Sequence, residues 1–200
     1  MKEKVIFENA YLVDIGCAEP AQQTRFEEIQ QLIADNPVGC ENEQEIIKQL
    51  LMISIIDEQL AELNYLQSYN LTKTTGKTDF DPEFEKHEEE EREHKYDLIE
   101  RLRELDSDKI FMPIDQWIHL NSRGTEWQQE ISNNSSEIIK HRLEEEKQAV
   151  EFYSLCVDYL RGSTDSTTYT LFKKVKEDEE EHIKDLRDLA RDHGFIGINE

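Results

Sequence analysis

The chain predicts an all-α fold: a four-helix bundle with a long crossover between its second and third helices, preceded by an N-terminal extension. Three observations carry that expectation. Seven glycines and four prolines in 200 residues leave long uninterrupted stretches. Within those stretches apolar residues recur every three or four positions, the period of an amphipathic helix. The breaks between stretches run short, long, short, as expected of two antiparallel hairpins joined by a connection that travels the length of the bundle.

Residues 1–41 read as an extension with one short amphipathic candidate, Thr24 to Glu27 with Ile29, Leu32 and Ile33. Lys2, Lys4 and Arg25 face eight acids there, so it is no basic nucleic-acid-binding arm. The bundle is expected over residues 42–194, with a tail at 195–200. Its first helix runs from about Glu43 to Tyr69. The second starts at Asp81-Pro82, a cap followed by proline at the first helical position, and reaches about Leu105. About 28 residues, Asp106 to Asn133, then form the crossover, with Pro113, Trp117, Trp127 and a candidate short helix over Pro113 to Leu120. Asn134-Ser-Ser-Glu137 opens the third helix as a cap with Glu three residues on, and that helix stops before Gly162. The fourth runs from about Ser166 to Gly194.

Comparing the chain with itself at an offset of 88 residues shows two matching halves. Glu58-x-x-Ala61-x-x-x-Tyr65 on the first helix matches Glu146-x-x-Ala149-x-x-x-Tyr153 on the third. Glu91-x-x-His94-x-x-Asp97-Leu98 on the second matches Glu179-x-x-His182-x-x-Asp185-Leu186 on the fourth, with the same 33-residue step from Glu to Glu in each half. Taken alone, any of these acids is most simply a solvated charge, as in the run His87-Glu-Glu-Glu-Glu-Arg-Glu-His94. Helical phase argues otherwise. Phe84, His87, Glu91, His94, Leu98 and Leu102 share one stripe, as do Phe172, Val175, Glu179, His182, Leu186 and Leu189. Leu51, Ile55, Glu58, Ala61 and Tyr65 repeat the arrangement on the first helix, and Ile139, Leu143, Glu146, Ala149 or Val150, Tyr153 and Val157 on the third. Each helix therefore places one carboxylate at the middle of its core face.

Four ionised carboxylates facing one another in an apolar interior are untenable unless something neutralises them. Two divalent cations do so, with one imidazole nitrogen for each. The set is that of di-iron and di-manganese carboxylate bundles, a Glu from each of two helices and Glu-x-x-His from each of the other two. The expected metal ligands and catalytic residues are thus Glu58 and Glu146 as terminal ligands, Glu91 and Glu179 as bridges, and His94 and His182 as nitrogen donors. Oxygen and nitrogen donors without thiolate suit iron or manganese; zinc binds such a set as a redox-silent substitute. Two iron ions per subunit are the expectation. Ala61 and Ala149 leave room beside them. Tyr65 and Tyr153 are either core aromatics, hydrogen-bond partners of a ligand or groups for electron transfer, and Asp97 and Asp185 are candidates to hold the imidazole N–H of a neighbouring helix.

Composition narrows the functional classes. With 23 Lys and Arg against 46 Asp and Glu, the formal charge of -23 repels phosphate backbones and anionic membrane faces and favours cations. The longest apolar run, Leu50 to Ile56, is far short of a bilayer span, and Met1-Lys-Glu-Lys-Val-Ile-Phe-Glu carries no apolar signal core. Cys17, Cys40 and Cys156 are an odd count without paired spacing, so reduced thiols and a cytoplasmic location are expected.

Over about residues 43–193 the sequence resembles the ferritin-like superfamily. The two Glu-x-x-His copies, the long crossover and Asp178-Glu-Glu-Glu-His182-Ile-Lys-Asp-Leu186 resemble bacterioferritins. Pro113-x-x-x-Trp117, Glu146-x-x-Ala149-Val-x-x-Tyr153 and Asp165 to Leu171 bring it nearer to Dps-like proteins of the thioferritin type. That resemblance implies a homo-oligomeric hollow cage, oxidation of Fe(II) with O2 or H2O2 at the di-iron site, and storage of ferric mineral with protection from oxidative stress. Two positions depart from the pattern. Arg92 stands where bacterioferritins carry the haem-binding Met, so no haem is expected, and Gln148 stands where thioferritins carry a cysteine of their redox pair. Cys156 reads as a small core residue. A di-iron oxidase or peroxidase acting on another substrate uses the same ligands, although no Cys-x-x-Cys rubredoxin module is present. A metal-free acidic interaction bundle is the remaining alternative.

Overall fold

The structure, a computed structural model, describes residues 18–106 and 134–195. Five α-helices and one 3-10 turn make up its regular structure among the described residues: α1 (Ala18–Asp35), α2 (Glu43–Thr75), the turn Thr78–Phe80, α3 (Asp81–Leu105), α4 (Ser135–Leu160) and α5 (Ser166–Asp192). The fold is all-helical, as the sequence predicts. No helix among these residues is long and apolar enough to cross a membrane. Residues 1–17 with Cys17, the crossover residues 107–133 with Pro113, Trp117 and Trp127, and the tail 196–200 lie outside the described residues.

Local chemistry fixes the ends. Asn134 caps α4 by accepting from Ser136 N at 3.2 Å, and Asp165 caps α5 by accepting from Thr168 N at 3.0 Å. α2 continues to Thr75, beyond the expected end at Tyr69. The hydroxyls of Ser68, Thr72, Thr74 and Thr75 each donate to the carbonyl four residues back, at 2.8 to 3.1 Å, so the polar side chains of this stretch are satisfied within the helix. Gly76 then ends the helix at φ 74°, a left-handed conformation suited to glycine. Asp81 is a further correction: it is the first residue of α3, and its carboxylate accepts from Thr72 Oγ1 at 2.6 Å, tying the end of α2 to the start of α3.

Directions follow from which residues meet. Pairs such as Lys48 with Asp106, Gln59 with Lys95 and Thr72 with Asp81 run in opposite senses along α2 and α3. Lys86 with Asp185 and Lys174 with Asp97 do the same for α3 and α5. Tyr65 with Glu146 and Tyr153 with Glu58 do so for α2 and α4. The tightest packing lies within the sequential pairs α2/α3 and α4/α5. Since α3 and α4 are both antiparallel to α2, they run parallel to each other, so the chain leaves α3 at one end of the bundle and enters α4 at the other. The short connections and the long crossover were legible for this reason.

The core is split into two apolar clusters. One contains Leu50, Leu51, Leu98, Leu102, Phe152, Tyr153, Cys156, Phe172 and Val175; the other contains Tyr65, Phe80, Phe84, Ile138, Ile139, Leu143, Leu186 and Ala190. Ile29, with Leu32 and Ile33, packs α1 against the first cluster, so the amphipathic candidate in the extension is a helix seated on the bundle. Between the clusters, on all four long helices, lies a layer of buried acids and imidazoles.

Candidate metal centre

All six residues singled out from the repeat face the bundle interior, none more than 4 % exposed: Glu58 and Glu146 from α2 and α4, Glu91 and His94 from α3, Glu179 and His182 from α5. Within the acidic run of α3 the helical phase decides the outcome, because Glu89 and Glu93 are exposed while Glu91 is buried. On α4 the register is settled likewise. Glu144 is exposed and Glu145 pairs with Arg142 at 2.8 Å and Asn64 at 3.1 Å, leaving Glu146 inward.

The six residues form two groups whose ligand atoms lie within 4.8 Å of one another, Glu58/Glu91/His94/Glu179 and Glu91/Glu146/Glu179/His182. Glu91 and Glu179 belong to both, and their oxygens divide between the two imidazoles. His94 Nδ1 lies 3.6 Å from Glu91 Oε2 and 3.4 Å from Glu179 Oε1; His182 Nδ1 lies 3.3 Å from Glu91 Oε1 and 3.1 Å from Glu179 Oε2. Glu58 Oε2 approaches His94 Nδ1 at 3.3 Å, and Glu146 Oε2 approaches His182 Nδ1 at 3.7 Å. Ligands about 2.1 Å from a common ion at near-tetrahedral angles stand about 3.4 Å apart, so these separations suit a cation between them.

Each terminal glutamate uses one oxygen inward and gives the other to a tyrosine of the opposite half. Tyr65 Oη donates to Glu146 Oε1, and Tyr153 Oη donates to Glu58 Oε1. Both phenols are buried and so belong to the core as well as to the ligands. Burial, and next the charge of Glu146 or Glu58, pushes each phenol well above its ordinary range, so both remain donors.

The imidazole partners are not the ones expected. His94 Nε2 meets Asp178 Oδ2 at 3.0 Å, and His182 Nε2 meets Glu90 Oε2 at 3.1 Å. Asp97 instead pairs with Lys174 at 3.0 Å. Asp185 pairs with Lys86 at 2.7 Å and lies 3.8 Å from Nε2 of His87, a different imidazole. The reason is geometric: in antiparallel helices the residue one turn past His94 or His182 lies level with Lys174 or Lys86 of the facing helix, whereas the residue just before Glu91 or Glu179 lies level with His182 or His94. The signal was present, since Glu90 and Asp178 match acid for acid at the 88-residue offset, but exposed acids surround both.

Without a cation, the acids and imidazoles shift one another. Burial, then the charges of Glu179 and Glu58, raises Glu91 well above the carboxylate range; burial and Glu179 raise Glu146. Burial disfavours charged His94 and His182, but the carboxylates beside them, Asp178, Glu179, Glu58 and Glu91 at the first and Glu146, Glu179, Glu90 and Glu91 at the second, outweigh it and raise both. The same contacts lower Asp178 and Glu90. Both carboxylate oxygens of Glu91 and of Glu179, and Nδ1 of His182, are buried without a hydrogen-bond partner. Buried polar atoms are nearly always partnered. Five orphans turned into the space between the two imidazoles fit ions that accept lone pairs.

Residues 43–193 match the family model of the ferritin-like domain, a span that holds all six residues and the four long helices. No curated protein matches the chain.

Proposed function

The chain belongs to the ferritin-like domain family, and from that premise we propose that it is a ferroxidase, oxidising Fe(II) with O2 or H2O2 at a dinuclear centre within the four-helix bundle. One observation carries the reading: two buried four-residue groups share Glu91 and Glu179, so these two residues would be held in common by two ions bound there, which could then act together. Each iron supplies one electron, and a bridged pair matches a two-electron oxidant.

The chain's own residues have distinct tasks. Asp178 and Glu90 fix the imidazoles with Nε2 outward, which leaves Nδ1 as the donor toward the carboxylates. Tyr153 and Tyr65 hold the outer oxygens of Glu58 and Glu146, restricting those side chains to a single inward oxygen. The apolar clusters above and below exclude water, which strengthens the attraction between carboxylates and cation. Manganese suits the same donors, and zinc is the redox-silent competitor. Haem is no part of the reading. A homo-oligomeric cage in the cytoplasm, of the bacterioferritin or Dps-like kind, completes it, and the chain's acidity favours Fe(II) at its surface.

Anaerobic Fe(II) titration of metal-stripped protein, followed by O2 or H2O2 while ferric absorbance is recorded, tests the activity. At least two irons bound per chain, two of them rapidly oxidised, with that pair and its oxidation lost in Glu91→Ala or Glu179→Ala, are the expected result. Absence of saturable binding would refute it, and sedimentation at monomer or dimer mass would refute the cage.

A further inference from the structure

The six ligands leave one buried imidazole unused. His87 is 0 % exposed, and neither ring nitrogen has a hydrogen-bond partner. Its ring stacks on that of His182 with centroids 4.1 Å apart and meets the edge of Tyr65 at 5.0 Å. Nε2 points away from the dinuclear centre, toward the gap between α3 and α5. There it lies 3.1 Å from Glu83 Oε1 and 3.8 Å from Asp185 Oδ2. The Glu83 contact has hydrogen-bond length but not hydrogen-bond direction, since Glu83 Oε1 is buried without a hydrogen-bond partner, its other neighbour being the Lys86 ammonium at 3.5 Å. A nitrogen and two carboxylate oxygens, all within 4.8 Å of one another, surround one point.

From this we infer that Glu83, His87 and Asp185 form a binding site for a third divalent cation, separate from the dinuclear centre and one imidazole removed from its His182 end. Separations of 3.1 and 3.8 Å bracket the spacing of about 3.4 Å between ligands that share an ion at about 2.1 Å. One imidazole with two carboxylates favours Fe(II), Mn(II), Co(II) or Zn(II) over calcium. The side chains of Glu83 and Asp185 are 29 % and 18 % exposed, so an ion arriving from solvent meets them before it meets the buried centre.

The repeat supplies an internal control. At the 88-residue offset Glu83 corresponds to Leu171, His87 to Val175, Lys86 to Lys174 and Asp185 to Asp97. The Lys–Asp bridge is present in both halves, Lys86 with Asp185 at 2.7 Å and Lys174 with Asp97 at 3.0 Å, and is accounted for as an interhelix tie. The histidine and glutamate occur in one half only, where the other half is apolar. Lys86 is therefore the ion's competitor. Its side chain is 43 % exposed and has Glu90 at 3.9 Å as an alternative partner when it leaves Asp185.

The test is calorimetric titration of the metal-stripped full chain with Zn(II), which does not change oxidation state. Three ions per chain are expected for the wild type, and two for His87→Val, which copies the other half, and for Glu83→Gln. Lys86→Gln is expected to tighten the third ion by up to roughly fivefold, the effect of removing one partly exposed competing charge. Should His87→Val fail to fold, Glu83→Gln at the surface carries the test. In Glu91→Gln the dinuclear pair is lost while the third ion persists, so failure of the ferroxidase reading and failure of this site are read separately. Two ions in the wild type, or an ion count that neither variant lowers, would overturn the inference.

Discussion

Replacing Tyr65 with Phe removes one hydroxyl and nothing else from the site, and the reciprocal geometry says which ion should feel it. Tyr65 holds the outer oxygen of Glu146, which faces His182; Tyr153 holds the outer oxygen of Glu58, which faces His94. In Tyr65→Phe the Glu146 oxygen, at a residue only 4 % exposed, loses its donor. A buried hydrogen bond to a charged group contributes about 1.5–3 kcal/mol. The loss makes Glu146 harder to ionise, and binding a cation requires it ionised, so affinity of the His182-side ion is expected to fall about 10- to 100-fold, the range found when outer partners of metal ligands are removed. The His94-side ion should change little, and Tyr153→Phe should reverse the pattern. The assay is Co(II) or Zn(II) titration combined with a double-mutant cycle: Tyr65→Phe should couple to His182→Ala and be additive with His94→Ala. Equal weakening of both ions by each variant, or no change in either, would refute the cross-braced reading of the site.

Four further outcomes follow. His94 and His182 are raised above the ordinary imidazole range and Glu91 above the ordinary carboxylate range in the cation-free site, whereas a cation binds the deprotonated ligands, so binding should release protons and affinity should rise with pH by about tenfold per unit for each proton displaced; calorimetry in two buffers of different ionisation enthalpy measures the release. Glu91→Gln removes one buried acid from a crowded group, so it should raise the melting temperature of metal-stripped protein while shrinking the rise that metal gives the wild type to what the third ion alone supplies. Gly76→Ala should cost about 1 kcal/mol in denaturant unfolding, all of it from the backbone, since a Cβ there has open space but φ is 74°. Finally, the two ions should bind with separable affinities despite matching ligands, and a single class of sites in the titration would contradict the asymmetry described below.

The long helices and the six inward residues were legible because two periodicities coincide on them. The 3.6-residue stripe places Glu58, Glu91, Glu146 and Glu179 on core faces, and the 88-residue repeat singles them out from more than forty other acids. What escaped depends on neighbouring helices rather than on one helix's own pattern. Glu90 and Asp178 sit at the edge of their stripes and are turned to use only by the imidazole across the interface. The last turns of α2 look like a loop in composition, yet they stay helical with their hydroxyls satisfied by carbonyls of the same helix, up to the left-handed Gly76. Asp97 and Asp185 repeat as faithfully as the ligands, yet they repeat because both halves need the same lysine bridge.

Faithful repetition therefore marks what both halves share, and its failures mark where they differ. The departures gather around Tyr65. His87 stands edge-on to its ring where the other half has Val175, and the guanidinium of fully buried Arg142 lies 5.9 Å from the ring centroid where the other half has Ser54. Arg142 is paired with Glu145, so the local charge is balanced, but its donors otherwise lack partners and its field reaches Tyr65. Tyr65 in turn holds Glu146, one ligand of the His182-side group. The His94 side has no equivalent histidine or arginine at the matching positions. Two groups with the same donor atoms thus sit in different fields, one flanked by a spare imidazole and a buried guanidinium, the other by an apolar wall. In a low-dielectric interior such a difference is felt directly at the ligands. Duplication accounts for the paired ligands, and the unpaired residues around Tyr65 are what make the two ends of the centre inequivalent.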